Sequence, residues 1–260
     1  MLEGNQDVGE IERDDEEETA SPLAPSSDPP STLIAPLALA SIVVLKSLVI
    51  MIFSCFLASP GASSDTLKQG DMLNNSTHLV STNKTFTLGF FSPDQNSEKS
   101  YLGIWYTNDT SHPVWVANRN EPIYNKSGIL TIDSSGNLII IHDGGDTFQL
   151  YASPTSVNIT ATLLDSGNFI VREVSSNESV WESFDYPTDI LLPSMKLGVN
   201  HRTGRNWSLT SWFAEDEPAS GAFTLDWDPI GRRLAVSRRG VKSWTSGALR
   251  DGAFEFLSYT

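Results

Sequence analysis

The chain has 260 residues, 39% of them hydrophobic, a net charge of −15 and a single cysteine. That length admits one or two domains. An acidic balance with scattered Lys and Arg argues against nucleic acid or an anionic membrane surface as the partner, and one cysteine cannot build a disulfide framework.

The first segment, residues 1–32, carries ten acidic groups against Arg13 alone, with Pro and Ser clusters and no aromatic side chain. It cannot bury enough apolar surface to offset its ordering entropy and is expected to be disordered. Residues 33–64 follow as a hydrophobic leader. Leu33 to Leu57 is the only long apolar run, interrupted by Pro36 and Lys46. Two readings compete. The run is long enough for a signal anchor that spans a bilayer. Alternatively, Lys46 is the positive end of a secretory signal, Ser47–Ala58 its apolar stretch, and Ser59–Ser64 its small-residue exit. Cleavage near Ala62–Ser64 is the favoured version. Cys55 lies inside this leader, so the mature chain would hold together without disulfides. The residues after position 64 carry a net charge of −7 and are numerous enough to form a core unaided.

From Asp65 onward the pattern is all-β. Short aromatic or β-branched runs occupy Thr85–Phe91, Tyr101–Tyr106, Val114–Ala117, Gly128–Ile132, Asn137–Ile141, Phe148–Tyr151, Ala161–Leu164 and Asn168–Val171. Turn residues separate them, at Ser92–Asp94, Asp133–Gly136, Asp143–Asp146 and Asp165–Gly167. Short strands at regular spacing with Gly, Asp and Asn turns fit a sandwich, a barrel or a prism. A repeat runs through them: Leu130–Ile140 matches Ala161–Val171, each copy being strand, Ser-Gly-Asn turn, strand. A hairpin cannot bury its apolar face alone, so the copies must pack together. Thr82–Leu88 reads as a degraded third copy, and three such units predict pseudo-threefold symmetry.

Beyond Pro193 the texture changes. Leu209–Phe213 reads as a strand, Ala214–Gly221 as an acidic, turn-rich stretch, and Ala222–Trp227, Arg232–Val236 and Val241–Trp244 as further strands. This is the beginning of a second β unit. Eight Asn-x-Ser/Thr sequons follow the leader, at Asn74, Asn75, Asn83, Asn108, Asn125, Asn158, Asn177 and Asn206. Asn74 and Asn75 overlap, so at most one of the two is expected to be used. With an export signal, they predict a glycosylated extracellular surface.

Four motifs stand in a fixed order: Thr87–Pro93 (TLGFFSP), Tyr101–Tyr106 (YLGIWY), Val114–Arg119 (VWVANR) and Trp181–Asp189 (WESFDYPTD). Together they resemble the G-type (bulb-type) lectin ectodomain of plant S-domain receptor-like kinases, over roughly residues 65–260. The resemblance implies a β-prism II bulb-type lectin domain over 65–185 and a partial second lectin-like, S-locus-glycoprotein-like region over 186–260. Full-length relatives continue into Cys-rich modules, a membrane span and a Ser/Thr kinase. No Gly-rich phosphate loop, catalytic-loop Asp or metal-binding Asp-Phe-Gly stands in this sequence, so kinase activity does not transfer.

Mannose-binding bulb lectins carry Q-x-D-x-N-x-V-x-Y once per subdomain. Amide and carboxylate groups pair with sugar hydroxyls, an apolar side chain packs on ring carbons, and the Tyr hydroxyl closes the site. Alternate spacing puts all five on one strand face. The first copy has Asp133, Ser135, Asn137, Ile139 and Ile141 there. The second has Leu164, Ser166, Asn168, Ile170 and Arg172, and the third Ser81, Asn83, Thr85, Thr87 and Gly89. The closing Tyr is missing from all three. The candidate carbohydrate site is therefore degenerate, and Asn137 and Asn168 are expected to serve mainly as turn residues. Trp105, Trp115 and Trp181 sit in apolar alternating runs and read as core anchors rather than sugar platforms.

Other chemistry finds little footing. His78, His112, His142 and His201 lack metal-ligand spacing, no nucleophile elbow accompanies the serines, and Asp143 and Asp146 around Gly144-Gly145 read as a hairpin turn. Arg232-Arg233 and Arg238-Arg239 read as a solvated face. No catalytic residue, metal or cofactor is expected. The expected function is a non-enzymatic lectin-like recognition module, secreted or associated with the plasma membrane, meeting a glycan or a cell-surface protein or peptide. A lectin-domain homo- or hetero-oligomer is a further partner class, and membrane contact would come only through an uncleaved leader. The alternative is the ectodomain piece of a receptor Ser/Thr kinase whose kinase lies elsewhere.

Overall fold

The computed structural model describes residues 64–94 and 96–257. The acidic segment 1–32 and all but the last residue of the leader 33–64 lie outside them. Twelve strands come first: β1 (Thr66–Lys68), β2 (Met72–Leu73), β3 (Leu79–Val80), β4 (Phe86–Phe91), β5 (Tyr101–Tyr106), β6 (Trp115–Val116), β7 (Ile129–Ile132), β8 (Leu138–Ile141), β9 (Phe148–Tyr151), β10 (Ile159–Leu163), β11 (Phe169–Glu173) and β12 (Ser179–Glu182). They form three four-stranded antiparallel sheets, in orders β3-β4-β5-β6, β2-β7-β8-β9 and β1-β10-β11-β12. Each sheet is one early strand beside three consecutive later ones, so all three share one connectivity. No α-helix occurs among the described residues, and none there is long and apolar enough to cross a membrane.

The strands form where β-branched and aromatic residues alternate sides. In β8, Leu138 and Ile140 are fully buried while Ile139 and Ile141 are half-buried on the other face. In β10, Ile159, Ala161 and Leu163 point inward in the same way. The inward sets of all three sheets meet in one core with Leu88, Ile104, Trp115, Ile132, Phe169 and Trp181 among its members. Trp105, Trp115 and Trp181 are all at least nine-tenths buried.

The repeat is visible in the turns. Asp133 N–H donates to the Asn137 carbonyl (3.0 Å) and Leu164 N–H to the Asn168 carbonyl (2.9 Å). Gly136 and Gly167 hold φ of +81° and +83°, the left-handed region that glycine enters at no cost from a side chain. In the third copy Lys84 fills that position with φ +58°, and the buried Ser81 hydroxyl accepts from the Thr85 and Phe86 N–H groups instead.

After β12 comes a single 3-10 turn, Ser183–Asp185, from which Phe184 returns to the core. The second β region holds β13 (Gly198–Val199), β14 (Asn206–Trp207), β15 (Leu209–Ala214), β16 (Glu217–Asp228), β17 (Arg233–Arg238), β18 (Val241–Thr245), β19 (Leu249–Arg250) and β20 (Ala253–Phe254). A fourth sheet runs β15-β16-β17-β18. Here the expectation for Ala214–Gly221 needs correcting. The turn is confined to Glu215-Asp216, and Glu217–Gly221 belongs to the long strand β16. Register shifts around Trp212 accommodate Pro218 and Gly221. A Cβ at Gly221 would lie 2.1 Å from the Trp212 carbonyl oxygen, which is why glycine stands at this close approach. Leu209, Leu225, Val236 and Trp244 are register partners in a row across the whole sheet. Trp244 and nearby Phe223 are about half exposed, at 41% and 48%.

Candidate functional site

The repeat positions expected to line a sugar site divide into three environments. In the first copy, Asp133 and Asn137 pair with each other across the turn. One Asp133 oxygen accepts from the N–H groups of Ser135 and Asn137 (2.9 Å each), and the other from the Asn137 carboxamide (2.9 Å). Burial pushes the Asp133 carboxyl up, but these donors together hold it below the usual carboxylate range. The side-chain Oδ1 of Asn137 accepts from Ser153 N–H at 2.9 Å. Ser135 is exposed, and Ile139 and Ile141 are half-buried on the outward face of β8.

In the second copy the same face is covered. Asn168 is 8% exposed and Ile170 3%. The Asn168 amide donates to Glu182 (2.9 Å), and its carbonyl oxygen accepts from the Ser183 hydroxyl (3.1 Å) and Phe184 N–H (3.2 Å). Both acceptor positions of that oxygen are filled from the polypeptide. Ser166 is exposed at the turn, and Arg172 and Leu164 are half-buried. In the third copy, Thr87 bonds the Thr107 hydroxyl (2.9 Å), and Gly89 lies under the His78 and Trp105 rings, which meet edge to face at 5.9 Å. Local turn chemistry thus holds both repeat asparagines. Their partners at Ser153 and at Glu182–Phe184 lie 14 to 16 residues away and leave no local signature in the sequence.

The sequon asparagines Asn74, Asn83, Asn108, Asn125, Asn158, Asn177 and Asn206 are exposed. Asn75 is half-buried, and its amide donates to the Lys126 carbonyl. Among the described residues, no cluster of three His, Cys, Asp or Glu side chains has metal-binding geometry.

Two features escaped sequence reasoning. The first is a joint between the three-sheet domain and the fourth sheet, centred on Arg119. Its guanidinium, 9% exposed, donates to the carbonyls of Pro218 (2.8 Å), Thr210 (3.0 Å) and Ser211 (2.9 Å). Burial lowers its pKa, and the nearby Asp189 charge offsets part of that. Glu217 accepts from Lys99 and from the Tyr101 hydroxyl (3.0 Å). The Lys99 bond is the main cause that holds Glu217 below the ordinary glutamate range. On the far side, Asp189 accepts from His112 (3.0 Å) and the Trp212 indole (3.0 Å), and the His112 and Trp212 rings lie 4.4 Å apart. Val114–Arg119 and Trp181–Asp189, two of the four motifs that carried the resemblance, both feed this joint.

The second is a cleft of about 180 Å³ beside β6, β9 and β12, the last strand of each of the three sheets. Its walls include Trp115, Phe148, Leu150, Trp181 and Tyr186, with Gln149 as the polar side chain. Tyr186 stacks on Trp181 at 5.5 Å and 22°, and its carbonyl accepts from the Trp115 indole at 2.8 Å.

The family model described as D-mannose binding lectin matches residues 112–213. Among curated proteins, the chain is 44% identical over 213 residues to the G-type lectin S-receptor-like serine/threonine-protein kinase CES101 of Arabidopsis thaliana, covering 80% of this chain and 25% of that protein. It is 40% identical over 187 residues to the S-locus-specific glycoprotein S6 of Brassica oleracea, covering 68% and 42%. A monomeric monocot mannose-binding lectin from Gastrodia elata is similar in structure over 46% of this chain and 96% of its own, at TM-score 0.37 and 21% identity. The chain spans about a quarter of the length of the receptor kinases that it matches.

Proposed function

The chain belongs to the plant G-type lectin S-receptor-like family, as part of its lectin ectodomain, and on that premise we propose that it is a non-enzymatic extracellular recognition module whose mannose positions have been converted to structural use. Residues 65–185 act as the lectin domain and 186–260 as the beginning of a second lectin-like unit. The module binds a glycan or a cell-surface protein or peptide, at the cell surface or after secretion, with glycans on the exposed sequons. The observation that carries the reading is the internal engagement of both repeat amides, Asn137 by Asp133 and Ser153, and Asn168 by Glu182, Ser183 and Phe184. Each lost polar contact is worth about 0.5–1.5 kcal/mol, enough in sum to remove a weak monosaccharide affinity.

The test is chromatography of the secreted protein on immobilised mannose, followed by a glycan array. Little or no retention on mannose is expected. Retention that free mannose elutes, and that Asn137→Ala with Asn168→Ala abolishes in a still-folded protein, would overturn the reading.

A second reading rests on the coverage: the match spans about a quarter of the length of the receptor kinases. In that case it is the ectodomain piece of a receptor Ser/Thr kinase. Cys-rich modules, a hydrophobic span and kinase motifs in the reading frame beyond Thr260 would support it, and an immediate stop in the transcript would favour the stand-alone module.

A further inference from the structure

We propose that the aromatic cleft beside β6, β9 and β12 is a saccharide site distinct from the repeat positions, and that it takes a neutral pyranose with an unbroken face of axial hydrogens, such as a β-glucoside or β-galactoside. It rests on the recognition-module reading but uses none of the residues of the mannose pattern.

Four observations carry it. The walls are aromatic and partly pre-stacked: Trp181 lies against Tyr186 (5.5 Å, 22°) and edge-on to Trp115 (6.2 Å, 71°). A flat C–H face of a sugar ring gains contact on such a wall, whereas an axial hydroxyl would hold the ring away and lose its water without a partner. No Asp, Glu, Lys or Arg lines the cleft, and Arg205, whose guanidinium lies over the Tyr186 ring (4.7 Å), is already paired with Asp185, so the site matches an uncharged ligand. Trp181 is 8% exposed, and its indole N–H has no acceptor among the described residues. A buried donor without a partner is uncommon and calls for an acceptor. The N–H is sealed from solvent with the Tyr186 ring stacked on Trp181, so a sugar hydroxyl meets it only when the half-exposed Tyr186 ring swings aside, while an apolar peptide side chain would leave the donor unmet. Finally, Gln149 stands exposed on the edge strand β9 beside the aromatic walls. Its carboxamide has both donors and acceptors for further hydroxyls.

The experiment titrates the glycosylated, secreted protein with methyl β-D-glucopyranoside, methyl β-D-galactopyranoside and methyl α-D-mannopyranoside. The last carries an axial oxygen on each ring face. Saturation-transfer NMR reads the sugar and the indole N–H resonances read the protein. Saturable binding of at least one β-glycoside is expected, with the strongest transfer to its axial ring protons, a shift of one indole N–H signal, and a much weaker response to the mannoside. Gln149→Ala and Trp181→Phe should each weaken binding about tenfold, the effect of one lost hydrogen bond. Gln149 is exposed, so that variant decides the matter even if Trp181→Phe fails to fold. No saturable response to either β-glycoside, or an equal response to the mannoside, overturns the proposal. Binding that survives both substitutions also overturns it, and in that case the module reading stands with its sugar bound elsewhere.

Discussion

The Asn168 side chain binds its own turn to a segment that returns from another strand. Its carboxamide ties the β11 turn to Glu182, Ser183 and Phe184. Asn137 holds a single distant N–H, that of Ser153. Truncation therefore strands more buried groups at Asn168 than at Asn137. Asn168→Ala should cost about 2–3 kcal/mol and Asn137→Ala about 1 kcal/mol in chemical denaturation. Equal costs would mean that the Asn168 bonds carry no net weight. The sequence announced both residues as turn formers, because Gly-Asn pairs have a local meaning. It did not announce the second set of partners, because those are supplied by a chain segment that returns from another strand.

Glu217 offers a pH test at the same scale. The Lys99 bond, reinforced by the Tyr101 hydroxyl and opposed by partial burial, holds its carboxyl below the usual 4.5. Its ionised form then stabilises the fold fully above the ordinary glutamate value, and that contribution fades as the pH falls through the lowered, folded-state value. Glu217→Gln should flatten the acid limb of a stability-versus-pH curve measured from pH 6 to 2 and lower the plateau at neutral pH. An unchanged acid limb would remove Glu217 from the account.

Elements were more legible than contacts. Runs of Ile, Leu, Phe and Trp with period two marked the strands, and Gly-containing turns marked their ends. The hairpin glycines differ in what surrounds them. Gly136 has φ +81°, and a Cβ there would sit 2.2 Å from the Val157 carbonyl oxygen. Gly145 has φ +99° with open space around it. Gly145→Ala should cost about 1 kcal/mol, the backbone strain alone, and Gly136→Ala about 3 kcal/mol, as a clash adds to that strain. Thermal midpoints of the two variants check the order. The misread element, Glu217–Gly221 at the start of β16, combines Pro218, Gly221 and a preceding acidic run, all of which locally favour a loop. Bulges opposite it and the Arg119 bond to the Pro218 carbonyl make it strand, and neither is written in its own residues.

On the scale of the molecule, Arg119 ties the three-sheet domain to the fourth sheet. Three carbonyls from two strands converge on a single guanidinium. Arg119→Lys keeps the charge but cannot reach all three, and should lower stability by about 2 kcal/mol in denaturant titration. A loss close to zero would show that water replaces the missing donors. The row Leu209, Leu225, Val236 and Trp244 on the fourth sheet is apolar and incompletely covered among the described residues. A sheet of this kind usually meets a second layer.

The shared connectivity of the three sheets also orders events during synthesis. The first three strands to leave the ribosome pair in reverse: β3 with β4, β2 with β7, and β1 with β10. The newest hairpin can close at once, whereas Thr66 must wait for Thr162, 96 residues further along. Closing that wide loop carries the largest entropic cost and the slowest rate. Growth is therefore nested, from the innermost pairing outward, and the earliest-made strand is the last to find its place.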